Sequence, residues 1–147
     1  MIKSLKSIFV LLLISSLFVV SCKKDDAQST SEILSSKTWE FEAAGPTAVT
    51  TNPEILAQIT ALNLLGQGTK YNFKSDGTYK VTNSSATEIE SGTWTLSSDN
   101  KTLTTKETSS SDSTSATITS ISSSDLKLQD TGLTSSNVQF TYILDFK

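Results

Sequence analysis

Apolar and polar residues alternate over much of the chain, most clearly at its end. Val138, Phe140, Tyr142, Leu144 and Phe146 share one face of the last segment, and Gln139, Thr141, Ile143 and Asp145 share the other. Period two of this kind predicts a strand with one face in a core and one in water. The pattern recurs in Tyr71 and Phe73, Tyr79 and Val81, Trp94 and Leu96, Ile118 among its threonines, and Leu126 and Leu128. Turn-forming clusters separate the runs: Ser75-Asp76-Gly77, Ser97-Ser98-Asp99-Asn100, Ser123-Ser124-Asp125 and Asp130-Thr131-Gly132. About eight short strands joined by hairpins predict an all-β fold, an antiparallel meander that closes into a barrel or folds into a sandwich. Closure would remove exposed edges.

One segment breaks the alternation. Asn52 is a helix cap, Pro53 suits a first turn, Glu54 complements the positive end of the dipole, and Gly66 can end the helix. Ile55, Leu56, Ile59, Leu62 and Leu65 then lie on a single helical stripe. Pro53 to Leu65 is therefore predicted as one helix between the first strand and the second.

The beginning of the chain has a different logic. Met1 to Ser7 carries two lysines, Ile8 to Val20 is an apolar run, and Ser21 precedes Cys22. This is the layout of a secretory signal, and the run is shorter than the roughly 20 residues a membrane span takes. Val19-Val20-Ser21-Cys22 resembles the bacterial lipobox. That resemblance implies that residues 1–21 are a signal peptide and that Cys22 becomes the first mature residue, with an acyl anchor on its thiol. Several acyl chains make such attachment to the membrane effectively permanent. Lys23, Lys24, Asp25 and Asp26 resemble the export signal of Bacteroidetes-type surface lipoproteins, which implies a lipid-anchored protein on the outer face of the outer membrane. By composition alone the same four residues are a solvated linker. Up to Ser36 only Ile33 and Leu34 are large and apolar, so residues 22–36 are expected to be the lipidated cysteine and a flexible tether, and residues 37–147 the folded domain.

Composition narrows the chemistry. The formal net charge is -3, and loss of Lys3 and Lys6 with the leader leaves ten of the 12 lysines against 15 acidic residues. An acidic domain argues against nucleic acid as a partner. The chain has no histidine, no arginine and one cysteine, which excludes histidine-dependent triads, histidine-ligated metals, internal disulfides and arginine clamps. No phosphate loop, nucleophile elbow or metal-ligand cluster stands in the sequence, so no metal or cofactor is implied. Glu40 and Glu42 share a strand face, as do Glu88 and Glu90, and both pairs are read as facing solvent beside inward apolar positions. The expectation is a non-enzymatic domain whose oligomeric state the sequence leaves open.

Several short motifs together resemble a known family. Ser36-Lys37-Thr38-Trp39 opens the first strand, and Tyr71-Asn72-Phe73-Lys74-Ser75-Asp76-Gly77-Thr78-Tyr79 forms strand, turn and strand. Gly92-Thr93-Trp94-Thr95-Leu96 runs on to Asp99 and Leu103, and an Ile118 to Leu128 hairpin precedes the aromatic last strand. These resemble the small lipocalin-like domains that occur as lipoproteins in the Bacteroidetes lineage. The resemblance implies a small antiparallel up-and-down β-barrel of about eight strands with one helix between strands 1 and 2. Two features depart from lipocalins proper. The Gly-x-Trp falls at Gly92 to Trp94 rather than at Trp39, and no arginine exists to lie across the first-strand tryptophan, leaving Lys147 or Lys127 as stand-ins.

In that family the connection between the first two strands covers the open end of the barrel. By resemblance, Pro53 to Leu65 would be a lid or side wall to a cavity lined by Phe41, Ile55, Ile59, Leu62, Tyr71, Phe73, Tyr79, Trp94, Phe140 and Tyr142, which would bind a small apolar ligand such as a fatty acid or a haem-like molecule. Alternatively the stripe plugs a solid barrel, and the protein is a non-catalytic interaction or glycan-binding accessory module. Asp112-Ser113-Thr114, inside the polar run Ser109 to Ser115 that is expected as a hairpin loop, resembles an acceptor motif for protein O-glycosylation in the same lineage, which implies modification at Ser113.

Overall fold

The computed structural model describes residues 28–147. The signal peptide, Cys22 and the segment Lys23, Lys24, Asp25 and Asp26 lie outside the described residues. A short helix, α1 (Thr30–Ser35), precedes strand β1 (Thr38–Pro46), which leads into helix α2 (Pro53–Gly66). Seven strands follow: β2 (Lys70–Phe73), β3 (Thr78–Thr82), β4 (Glu88–Leu96), β5 (Thr102–Glu107), β6 (Ser113–Ile121), β7 (Leu126–Leu133) and β8 (Gln139–Phe146). Each pairs antiparallel with the next, and β8 returns to β1, closing an eight-stranded up-and-down barrel with one helix between its first two strands. The expected fold class holds in full. Both helices and all eight strands lie within the described residues, so this span carries its own core.

The end of the barrel that holds the β2–β3, β4–β5 and β6–β7 turns is sealed by rings. Trp39, Phe73, Tyr79, Trp94, Leu103, Leu126 and Phe146 are buried there in one cluster, with Phe73 edge-on to Trp94 at 5.8 Å and Phe41 edge-on to Phe146 at 5.8 Å. Helix α1 closes this end. Ser29 caps it reciprocally with Glu32, its Leu34 is fully buried, and the Leu34 carbonyl accepts the Trp39 indole N–H at 2.9 Å. The expected tether thus stops short of Ser36, because an apolar residue that can cover the barrel floor is worth more docked than solvated. The cation over Trp39 is Lys37, at 4.7 Å from the ring, rather than Lys147 or Lys127, which pair with Glu42 and Asp145.

Helix α2 has a different task. Strand β1 pairs with β2 only over Thr38, Trp39 and Glu40, so the later part of its edge lacks a strand. The helix supplies one side chain in its place: Asn63 accepts the Ala44 N–H at 2.8 Å and donates to the Ala44 carbonyl at 2.9 Å, as a neighbouring strand would. Asn52 caps the helix through the N–H groups of Glu54 and Ile55. At its other end Gly66 is still helical, and the left-handed residue is Gly68, at φ 71°. The apolar stripe is narrower than expected: Ile55 and Ile59 are buried, while Leu56 is 44% and Leu65 81% exposed.

Two of the expected turns shift. Asp130, Thr131 and Gly132 belong to β7, and the chain reverses instead at Thr134 to Val138, with Asn137 at φ 59°. Gly132 is needed within the strand because the Phe140 ring lies across it, 2.6 Å from where a Cβ would stand. The polar run expected as a loop from Ser109 to Ser115 is shorter, since β6 begins at Ser113.

Candidate functional site: the barrel interior

Inward positions change character along the barrel axis. Starting from the sealed end, β7 presents Leu126, Leu128 and then Asp130; β5 presents Leu103 and Thr105; β6 presents Ala116 and Thr114; β4 presents Trp94 and, beyond Gly92, Glu90. The period of two places all of them on one face of the sheet, so the floor is apolar and the upper wall carries hydroxyls and carboxylates. Between them lies a cavity of about 210 Å³, bounded by Trp39, Tyr71, Phe73, Leu144 and Phe146 as well as the residues of β4 to β7.

Two carboxylates line this cavity, and each receives a phenol. Tyr79 donates its hydroxyl to Glu90 Oε1, and Tyr142 donates to Asp130 Oδ2 at 2.9 Å from the directly opposite register position. Burial raises the Tyr79 hydroxyl well above the ordinary tyrosine range, and its bond to the Glu90 carboxylate adds to the effect. Tyr142 is raised in the same way, by burial and then by Asp130. Tyr71 faces the cavity between them, also raised, first by burial and then by the negative charge of Glu90. Neither Glu90 nor Asp130 forms an ion pair among the described residues; the lysines that pair do so outside, Lys70 with Glu40 at 3.3 Å and Lys80 with Glu88 at 2.6 Å.

Of the ten residues expected around a ligand, the structure brings only Tyr71 and Phe73 to the cavity wall. Tyr79 and Tyr142 reach it indirectly, through the carboxylates they hold. Trp94 is buried behind Phe73, with its indole N–H bonded to the Lys74 carbonyl at 2.9 Å, and Phe41 packs on Phe146. Ile55, Ile59 and Phe140 form a separate apolar cluster with Leu62 and Tyr142, away from the cavity wall. Helix α2 packs along β1, and its buried Ile55 and Ile59 meet Phe140 and Tyr142 of β8. Ser113 is exposed at the start of β6.

The chain is similar to more than one solved structure. One of them is a crystal structure of a DUF4847 family protein from Bacteroides vulgatus ATCC 8482, with 18% sequence identity, coverage of 78% of this chain and 96% of that chain, and a TM-score of 0.48. No protein-family model matches the chain. No curated protein matches it either.

The residues that sequence reasoning missed are the polar ones. Glu90 was expected in solvent with Glu88, and Asp130 in a turn. A bulge between Val81 and Thr82 in the β3–β4 pairing breaks the phase, so Glu88 turns outward to Lys80 while Glu90 keeps the inward phase of Trp94. Counting back in steps of two from Trp94 through Gly92 reaches Glu90, and counting forward by two from Leu128 reaches Asp130; that was the available signal.

Proposed function

We propose that this is a lipid-anchored envelope protein whose barrel holds a small molecule without transforming it. The observation that carries the reading is the internal cavity of about 210 Å³ with an apolar floor and a polar upper wall. Ligand pockets usually span about 300 to 1,000 Å³, so this one suits a compact ligand and not a fatty acid or haem. An apolar cavity of about 150 Å³ already accepts benzene, which sets the scale at one ring with a short substituent. Helix α1 and the entry of the chain lie at the sealed end, so an anchor at Cys22 would set that end toward the bilayer and the polar wall away from it.

Two experiments test the reading. Replacing Cys22 with Ser should leave the unprocessed or soluble chain without incorporated palmitate; labelling equal to the unmodified protein would refute the anchor. Native mass spectrometry of residues 28–147 with a panel of small ring compounds should retain one ligand per chain. A barrel that retains none is a solid one, and the interaction module becomes the better description.

A further inference from the structure

We infer that the ligand is a small organic cation, an amine carried on an apolar ring or short alkyl body. This rests on the cavity reading above and adds the chemistry of the head group. Glu90 and Asp130 both line the cavity, and each already accepts a tyrosine hydroxyl, the arrangement of a carboxylate acting as acceptor. A carboxylate oxygen has room for further donors, and no lysine borders the cavity to supply them. The protein thus brings two carboxylates to one cavity and, among the described residues, pairs neither with a positive side chain.

An ammonium head suits such a wall: it is a compact point charge with three donors for carboxylate oxygens. The remaining wall selects the body. Trp39, Phe73, Leu126 and Phe146 form the floor, offering ring faces and aliphatic surface but no donor aimed into the space. An anion would meet Glu90 and Asp130 without a counter-charge. A divalent metal is a poorer match, because it takes six or more oxygens, and no group of three or more acidic, histidine or cysteine side chains comes together among the described residues. A neutral alcohol of the same shape could donate one bond but brings no positive charge to either carboxylate.

The test compares 2-phenylethylamine with its neutral and anionic counterparts, 2-phenylethanol and phenylacetate, on residues 28–147, by calorimetry and by amide shift perturbation. The amine should bind at least about tenfold more tightly than the alcohol, with no saturable binding of the acid. Glu90→Gln and Asp130→Asn should each remove most of the amine's advantage and leave the alcohol unchanged. Glu90→Gln retains an oxygen for the Tyr79 hydroxyl, and the three-probe comparison on the unaltered protein needs no variant. Equal binding of amine and alcohol, or a preference that survives both substitutions, would overturn the cation assignment and leave the cavity reading standing. Absence of saturable binding by all three probes, together with an empty result from the wider panel, would overturn both.

Discussion

Leu34 separates a flexible tether from a docked closing element, and it can be tested without reference to any ligand. The side chain is fully buried against the ring cluster at the barrel floor. Leu34→Ala removes the equivalent of about three methylenes, or roughly 2.4 kcal/mol of transfer energy at ~0.8 kcal/mol each. The cavity left behind adds to this because Trp39 and Leu126, both essentially unexposed, have little freedom to collapse into it. The higher helix propensity of alanine returns only a few tenths, so the expected loss is about 3 kcal/mol, equivalent to a fall in Tm of about 10 °C in a domain of this size. The backbone carbonyl that accepts the Trp39 indole survives the change, so the loss measures packing. Urea unfolding of residues 28–147, followed by the fluorescence of Trp39 and Trp94, gives the number directly. Leu65→Ala, at a position 81% exposed, serves as the control and should change stability by less than about 0.5 kcal/mol. A Leu34→Ala result as small as the control would show that α1 does not close the barrel.

Three other outcomes follow from the same geometry. Asn63→Ala should cost about 2 kcal/mol and expose the Ala44 amide to fast hydrogen exchange, since it strands the N–H and carbonyl that Asn63 satisfies; unchanged protection at Ala44 would mean that water replaces the side chain without penalty. Gly92→Ala should abolish or severely weaken folding, because its Cβ would stand 2.0 Å from the Lys106 carbonyl oxygen, whereas Gly45→Ala, with nothing within 4 Å, should be nearly neutral by thermal melting. All three tyrosines of the chain, Tyr71, Tyr79 and Tyr142, hold their protons more tightly folded than unfolded. Their contribution to stability is therefore whole below about pH 10, the unfolded value, and declines as pH rises above it. Phenolate absorbance near 295 nm at pH 10 should be close to absent in the native protein and about half developed in urea; equal signals would contradict the buried phenols.

Much of the barrel is legible in residue order. The alternation of Phe140, Tyr142, Leu144 and Phe146, and the turns at Asp76-Gly77 and Asp99-Asn100, are local features, and local backbone preference suffices to produce them. Helix α2 is legible for the same reason, from Asn52 and Pro53 at its start. The site is less so. Glu88 and Glu90 have the same spacing as Glu40 and Glu42, yet a bulge sends one outward and keeps the other inside. Such a phase break depends on which strand lies alongside, and residue order within a single strand does not contain that information.

The sequence by itself determined the number and direction of the strands, the position of the longer helix, and a chemistry without histidine or arginine. Tertiary structure alone decided that Leu34 belongs to the core, that Asn63 stands in for a missing strand, and that Glu90 and Asp130 face one small cavity. The physical reason is the range of the forces involved. Alternation and turn preference act over a few residues, whereas burial and charge are set by neighbours that closure of the barrel brings together from β4 and β7.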